Sequence, residues 1–317
     1  MMAQRNRITP AKSRAALMAM APAVNPAIGL LDAMRDHGIE PADHAEIVAD
    51  GAIHRYLIDG DKPGSRNGWF VLRDRFGVAG SWKSGASCTW SATNATRMSR
   101  AEKDAFYSSI RQAKADAQRQ REAEHQAAAE RASTLWAKAR PASPEHPYLA
   151  RKRIPPGNAR QSGELLILHI EDVEGNTRSL QFISSDGTKK LLRDGTKKAC
   201  FILVAGSLPA DLIVIAEGFA TATTAATQFP GAAVLAAIDA GNLEPVALAI
   251  RAKHPAAEIV ICADDDRLTP GNPGLTKARA AAGAVRGKLM RPIWPDGAPE
   301  SLTDFNDLAV FMVEVSA

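Results

Sequence analysis

Residues 212–266 read LIVIAEGFATATTAATQFPGAAVLAAIDAGNLEPVALAIRAKHPAAEIVICADDD, and this stretch determines the expected fold class. Apolar runs at 212–216, 234–238 and 259–263 have the length of strands, and the segments between them have helical spacing. Runs that are apolar throughout indicate strands buried on both faces, and their alternation with helices is typical of a parallel α/β sheet. The alternation continues with a helix at 274–287, a strand at 288–294 and a helix at 304–315.

Acidic residues stand at the carboxyl ends of these predicted strands and at the start of the last helix: Glu217, Asp239, Asp264, Asp265, Asp266, Asp304 and Asp307. Ligands of open α/β sheets bind outside the carboxyl ends of the strands, so we expect these side chains around one crevice. Carboxylates packed this closely repel one another, and Mg²⁺ is a hard cation that prefers oxygen ligands. The pattern therefore predicts a divalent-cation site, where two ions would activate an attacking oxygen and stabilise a leaving one.

Two of these residues also have purely structural interpretations. Asp304 stands where a helix N-cap is expected, and Asp239 precedes Ala-Gly-Asn, which fits ordinary turn chemistry. The combination of Glu217 with Asp264 and Asp266 is specific, because a run of aspartates after an apolar strand is hard to explain by capping alone.

The upstream half of the chain has a different pattern of helix-forming and strand-forming segments. Residues 26–37 have helical spacing, with Ile28, Leu31 and Met34 on one face. Residues 53–90 contain short β-prone stretches separated by Gly-rich turns, which predict a small antiparallel sheet. Residues 100–140 form a long helix rich in alanine and charge, and residues 165–204 return to strands.

Composition and charge narrow the class of protein. The 317 residues are 45% hydrophobic and 23% charged, as in a globular protein, and no apolar run is long enough for a bilayer. Three cysteines without a CxxC pair exclude a disulfide framework and a cysteine-based zinc module, and they favour a cytoplasmic location. Residues 211–317 carry 8 Lys/Arg against 13 Asp/Glu, whereas residues 1–210 have a net charge of +9. A basic half joined to an acidic half suggests nucleic acid as a partner.

Four motifs carry a family resemblance: EGFATA (217–222), DAGN (239–242), ADDD with NPG (263–266 and 272–274) and DFNDLA (304–309). Together they resemble the Toprim domain, and specifically the primases of conjugative plasmids and satellite phages, whose EGYATA motif has Phe219 here in place of tyrosine. HPYLARK (146–152), SLQFISSDGTKK (179–190) and KKACFILV (197–204) resemble the segment before Toprim in these primases. The resemblance covers about residues 30 to 315.

The resemblance implies a fold and roles for the matching residues. The fold would be α/β, with a Rossmann-like parallel sheet flanked by helices. Glu217 would assist proton transfer or bind metal, and Asp264 and Asp266 would hold Mg²⁺ or Mn²⁺, with Asp304 and Asp307 completing the acidic rim. The reaction would be nucleotidyl transfer, in which a 3′-hydroxyl attacks the α-phosphate of a nucleoside triphosphate and pyrophosphate leaves.

Basic residues should face that site. Those proposed to bind the triphosphate and the template backbone are Arg178, Lys189, Lys190, Lys197, Lys198 and Lys277. Lys277 lies near a helix start suited to phosphate. The alternative for each of these residues is a solvated basic face.

The module at residues 53–90 interleaves aromatic and basic residues, which suits base stacking with backbone attraction. The candidate contacts to single-stranded DNA are Arg55, Arg66, Trp69, Trp82 and Lys83. The alternative is that both tryptophans are the core of a small sheet. We expect no zinc here, because the module has no zinc ligand set.

The sequence predicts five segments: a helical segment at 1–40, a small basic β module at 41–95, a long helix and linker at 96–145, the first part of a primase core at 146–210, and Toprim at 211–317. The leading interpretation is a DNA primase of a plasmid, phage or mobile element. Its partners would be single-stranded DNA, nucleoside triphosphates and a separate helicase or replication initiator, with no membrane. The alternatives are a Toprim nuclease and an inactive single-strand-binding accessory protein.

Overall fold

The computed structural model describes residues 25–42, 46–73, 76–92 and 100–316 of the chain. Residues 1–24 of the helical segment predicted at 1–40 lie outside the described residues. The chain divides into two compact units, residues 1–119 and 120–317, and the division falls within the helix Arg100–Lys138. The finer division into five segments stays a prediction. Among the helices described, none combines the length and the hydropathy that a bilayer span requires.

The N-terminal unit contains the antiparallel sheet predicted for this region. Helix α1 (Pro26–Asp36) precedes four strands, β1 (His54–Tyr56), β2 (Gly68–Arg73), β3 (Phe76–Ser81) and β4 (Ser87–Ser91). The strands are hydrogen-bonded in that order, each antiparallel to the next. Leu30 and Met34 of α1 share a buried core with Phe70 and Leu72 of β2.

The C-terminal unit begins with an antiparallel sheet. Its helices and strands are α2 (Arg100–Lys138, which begins in the first unit), β5 (Arg140–Pro141), α3 (Pro147–Lys152), β6 (Arg160–Ser162), β7 (Leu165–Glu171), β8 (Thr177–Ile183) and β9 (Lys189–Leu191). The strands are paired in chain order. Ala132 of α2 packs with Ile167 and Leu180, so the end of the long helix covers one face of this sheet.

The second sheet of this unit has the order β10-β12-β11-β13-β14. Its strands and helices are β10 (Ile202–Ala205), β11 (Leu212–Ala216), α4 (Phe219–Gln228), β12 (Ala233–Ala236), α5 (Leu243–Lys253), β13 (Glu258–Cys262), α6 (Pro273–Val285), β14 (Lys288–Met290) and α7 (Phe305–Val315). Strands β11 to β14 are parallel, which confirms the predicted α/β fold. Strand β10 is antiparallel to β12 and forms one edge.

The inner parallel strands β11, β12 and β13 each contribute to two cores. In β11, Ile213 and Ile215 pack with residues of α5 and α6, whereas Val214 and Ala216 pack with α4 and with the antiparallel sheet β5–β9, which we call the middle sheet. Successive side chains of a strand point to opposite faces, and both faces are covered here. This is why the runs are apolar at nearly every position.

The two sheets of the C-terminal unit are joined by backbone hydrogen bonds. The N–H of Glu171 donates to the carbonyl of Phe201, and the N–H of Phe201 donates to the carbonyl of Glu171, both at 2.9 Å. Lysines on the middle sheet and acids on the parallel sheet therefore belong to one packed structure.

Candidate active site

Glu217 stands at the carboxyl end of β11, and Gly218 after it is the N-cap of α4. The strand ends here because the chain turns into the helix, leaving Glu217 partly buried at the sheet's carboxyl edge. Burial raises the pKa of the Glu217 carboxyl, and the charge of Asp266 raises it further; a hydrogen bond from the Ala240 backbone and the charge of Lys189 oppose this. Glu217 is thus an acid whose ionised form is disfavoured by its neighbours.

Asp264 follows β13 and is the most perturbed carboxylate of the site. Burial raises its pKa to about 8, with further increases from the charges of Glu217, Asp304 and Asp266. Its Oδ1 atom is buried and has no hydrogen-bond partner. A buried polar atom without a partner destabilises the folded state by about 1–3 kcal/mol. A cation or a proton bound at this oxygen would remove that cost.

Asp266 is held against the start of α6. Its Oδ2 accepts a hydrogen bond from the Gly274 N–H at 2.9 Å, and its own N–H donates to Asn272 Oδ1 at 2.9 Å. The approach is very close, since a Cβ at Gly274 would lie 2.8 Å from Asp266 Oδ2 and 3.0 Å from the Asp264 carbonyl oxygen. Gly274 therefore lets the start of α6 lie directly against Asp264 and Asp266, the acidic pair, and we call this arrangement the cradle.

Asp304 is a helix cap and also a neighbour of the acidic cluster. Its Oδ1 caps α7 by accepting from the Asp307 N–H at 2.8 Å, and its Oδ2 accepts from the Thr221 hydroxyl at 3.0 Å. Its charge also acts on Asp264, which places it at the edge of the acidic cluster.

Asp307, predicted with it, has other partners. Its Oδ1 pairs with Lys152 Nζ at 3.0 Å, and its Oδ2 accepts from the Thr303 N–H at 3.1 Å. Its backbone N–H donates to Asp304 Oδ1, whereas its own carboxylate oxygens bind Lys152 and Thr303, so its place in the rim stays a prediction.

Of the predicted basic residues, the structure brings Lys189 to the acids. A Cβ at Gly218 would lie 3.7 Å from Lys189 Nζ, and the Lys189 charge lowers the pKa of both Glu217 and Asp264. Because it lies on the exposed edge strand β9, the ammonium group can also meet a ligand from solvent.

The other predicted basic residues take different places. Lys197 pairs with Asp239, so both flank the end of β12. Arg178 donates to Asp172 Oδ2 at 2.6 Å, in a turn of the middle sheet. Lys190, Lys198 and Lys277 are exposed.

Asn242 is a site-shaping residue that the sequence interpretation missed, although it closes the DAGN motif. It is 1% exposed, and its Nδ2 lies 2.9–3.0 Å from the carbonyl oxygens of Lys197, Cys200 and Ala237. Its Oδ1 accepts from the Ala199 N–H at 2.9 Å. Asn242 therefore fastens the segment carrying Lys197 to the end of β12.

We expect Asn242→Ala to destabilise the protein by about 2–4 kcal/mol, because several buried backbone groups lose their partner. Urea unfolding measures this change. Asn158→Ala, at an exposed position, serves as the control and should change stability by less than about 0.5 kcal/mol. Equal stability of the two variants would contradict the fastening role.

In the N-terminal unit, the two tryptophans differ in exposure. Trp69 is 6% exposed and Trp82 is 37% exposed, with ring centroids 5.4 Å apart. Lys83 Nζ contacts Asp61 at 2.5 Å, and Arg55 Nε donates to the Arg66 carbonyl at 3.1 Å. Trp82 therefore offers more ring surface for stacking on a base than Trp69 does.

The carboxylates fit a divalent cation by chemistry and burial. Asp264 offers an unpartnered buried oxygen, and its pKa is raised by three neighbouring carboxylates, as expected for acids that repel in the absence of a cation. Within the described ranges, no three carboxylate, thiol or imidazole groups converge as a preformed chelate. Asp266 uses one carboxylate oxygen in a hydrogen bond and Asp304 uses both, so cation binding would require these bonds to adjust.

Comparison with known proteins identifies the domain. Residues 212–311 match the family model described as the Toprim domain. Two proteins from Escherichia coli, each named DNA primase TraC, are similar to the chain: one is 35% identical over 291 residues (87% of this chain, 27% of that protein), and the other is 34% identical over 289 residues (86% and 20%). The chain thus spans about a quarter of the length of these relatives.

Among solved structures, the primase fragment of the bacteriophage T7 primase-helicase protein is similar, with a TM-score of 0.39 and 16% identity over 52% of this chain and 69% of that chain. The resemblance to Toprim primases noted in the motifs is confirmed by the domain match and by the two relatives.

Proposed function

We propose that this chain, which carries a Toprim domain and is similar over most of its length to DNA primases, synthesises short RNA primers on single-stranded DNA. The observation that carries the proposal is the cluster of Glu217, Asp264 and Asp266 at the carboxyl edge of the parallel sheet, with Lys189 beside it. We further propose that it serves the replication of a plasmid, phage or other mobile element. A separate helicase or replication initiator would expose the template strand.

Each residue of the cluster has a task in nucleotidyl transfer. Glu217, with its raised pKa, would accept the proton of the attacking 3′-hydroxyl as that oxygen bonds to the α-phosphate and pyrophosphate departs. Lys189 would neutralise phosphate charge. Asp264 and Asp266, with Asp304 at their edge, would hold Mg²⁺ or Mn²⁺, which would stabilise the charge that develops on the phosphoryl oxygens.

The three free cysteines support a reducing location. Cys88, Cys200 and Cys262 are all buried and unpaired. Free thiols of this kind are usual where disulfides do not persist, so we propose that the protein works in the cytoplasm.

A primer-synthesis assay tests the main proposal. It uses the full chain, single-stranded DNA, four ribonucleoside triphosphates and Mg²⁺ or Mn²⁺. We expect short labelled products that vanish in Glu217→Gln and persist in Glu174→Gln, an exposed residue outside the cluster. Template shortening without synthesis would favour the Toprim nuclease. Binding of the strand without turnover of any kind would favour the accessory protein.

A separate prediction concerns the contribution of Lys190 and Lys198 to template binding. The affinity for a single strand should fall as salt rises, with a log–log slope of about −0.7 for each phosphate contacted. Replacing Lys190 and Lys198 together by glutamine should reduce that slope by about 1.4, whereas Lys138→Gln, on the long helix, should leave it unchanged. Fluorescence anisotropy of a labelled strand measures the slope. Equal slopes for all three proteins would remove Lys190 and Lys198 from the interface.

A further inference from the structure

Asp265, the middle residue of the acidic run, is built into the fold differently from its neighbours. Its side chain is 4% exposed, and both carboxylate oxygens have partners. Asn272 Nδ2 donates to Oδ1 at 2.7 Å, Trp294 Nε1 donates to Oδ2 at 3.0 Å, and Arg291 lies 3.6 Å from Oδ2. Asp264, one residue earlier, leaves an oxygen without a partner.

The partners of Asp265 come from two segments that border the acidic cluster. Asn272 also accepts from the Asp266 N–H and caps α6, so it connects Asp265 to the cradle of Asp266. Arg291 and Trp294 belong to residues 291–303, the loop between β14 and the N-cap of α7. Asp265 therefore connects the start of α6 to the loop 291–303.

The loop 291–303 is fastened at further points beside Asp265. The Asp265 N–H donates to the Thr303 carbonyl at 2.6 Å, and Arg267 donates to the carbonyls of Pro299 (2.7 Å) and Leu302 (3.2 Å). The Arg267 guanidinium also lies 4.5 Å from the centroid of the Trp294 ring. Thr303 immediately precedes Asp304, so these contacts fix where Asp304 stands relative to Asp264 and Asp266.

We infer that Asp265 is a positioning residue, which sets the spacing of Asp264, Asp266 and Asp304 for a divalent cation by binding Asn272, Trp294 and Arg291. The inference rests on the proposed function, because it assumes that the acidic cluster binds a cation. Hydrogen-bond partners behind metal ligands orient them, and their loss commonly costs about 10- to 100-fold in metal affinity.

Direct Mn²⁺ binding tests this role without relying on activity. Free Mn²⁺ is measured by its EPR signal while it is titrated into the full chain. We expect Asp265→Asn to raise the dissociation constant about 10- to 100-fold, since its amide nitrogen would face a donor where an oxygen had accepted. Trp294→Phe, which keeps a ring but removes one donor, should raise it by a smaller factor.

Two controls separate positioning from general stability. Asp172→Asn removes another largely buried carboxylate, which accepts hydrogen bonds from Asn176 and Arg178 in the middle sheet; it should lower the melting temperature and leave the Mn²⁺ affinity unchanged. Asp264→Asn should abolish Mn²⁺ binding.

The outcomes separate the positioning role of Asp265 from the cation site itself. Wild-type affinity in both Asp265→Asn and Trp294→Phe, with binding lost in Asp264→Asn, would overturn the positioning role and leave the cation site standing. If Asp265→Asn does not fold, Trp294→Phe decides by the same criterion. A wild-type chain that binds no Mn²⁺ would overturn the cation site and the positioning role with it.

Discussion

The Asp264→Asn variant is expected to lose primer synthesis by about 10³-fold or more, because a fixed charge at the reacting phosphate is removed. Its fold should persist, since Asp264 lies at a strand end and its Oδ1 has no partner to lose. Single-turnover primer synthesis measures the loss, and circular dichroism checks the fold. Asp172→Asn, which is not part of the acidic cluster, is the matched control for removing a largely buried carboxylate. Wild-type rates in Asp264→Asn would remove this residue from the site.

Asp264→Asn should lower activity, but it should raise the stability of the cation-free protein at alkaline pH. The pKa of Asp264 is about 8 in the folded chain against an ordinary value of 3.8, so the folded state holds the proton that the unfolded state releases. Stability contributed by this group is complete below pH 4, declines as pH rises, by up to about 1.4 kcal/mol per pH unit, and levels off above pH 8.

Urea unfolding in a chelator at pH 5, 6.5 and 8 measures this dependence. We expect Asp264→Asn to be more stable than wild type at pH 8, and its free energy of unfolding to change less with pH. The pH dependence that remains in this variant would come from Glu217, whose pKa is also raised. The pKa of Asp172 is lowered by hydrogen bonds that outweigh its burial, so Asp172→Asn should shift stability equally at all three pH values. Identical slopes for wild type and Asp264→Asn would contradict the burial of an acid here.

The second large effect is expected from one methyl group. Gly274→Ala should lower primer synthesis about 100-fold, since its Cβ would lie 2.8 Å from Asp266 Oδ2 and 3.0 Å from both Asp264 Cβ and the Asp264 carbonyl oxygen. The acidic pair must move to admit it, and a displacement of about 1 Å can cost this much.

Gly283→Ala is a close control, because Gly283 lies in the same helix and a Cβ there meets nothing within 4 Å. That variant should keep its activity and gain up to about 1 kcal/mol of stability from the better helix propensity of alanine. Comparable activities of the two variants in the primer assay would show that the cradle tolerates a side chain.

The sequence predicted the architecture of the parallel sheet well, because strands buried on both faces leave an unmistakable apolar pattern. It also predicted that Glu217, Asp264 and Asp266 lie near one another, since parallel strands carry their carboxyl ends to one edge; their role in binding metal stays a prediction. The buried face of helix α1 was harder to predict. Ile28, expected on the same face as Met34, is 56% exposed, and Leu30 is buried instead. The Trp90 ring occupies the space that a side chain at Gly29 would need, a tertiary contact that periodicity does not reveal.

The supporting residues of the site could not be predicted in the same way. Asn242, Asn272 and Trp294 act through hydrogen bonds to groups 5 to 45 residues away along the chain. Nothing in local spacing distinguishes Asp307, which binds Lys152, from Asp304, which faces the acids. Only the packed structure assigns these partners.

The edge strand β10 determines which piece of this chain can be inherited as a folded whole. The Toprim match begins at residue 212, yet β12 completes its hydrogen bonds with residues 202–205, and Phe201 is tied to Glu171 of the preceding sheet. A recombination that moved residues 212–311 alone would remove β10 and leave one edge of β12 without a hydrogen-bonded neighbour. Such an edge is open to pairing with other chains. A crossover upstream of the middle sheet would keep this edge paired, and Lys189 would then stay together with Glu217, Asp264 and Asp266.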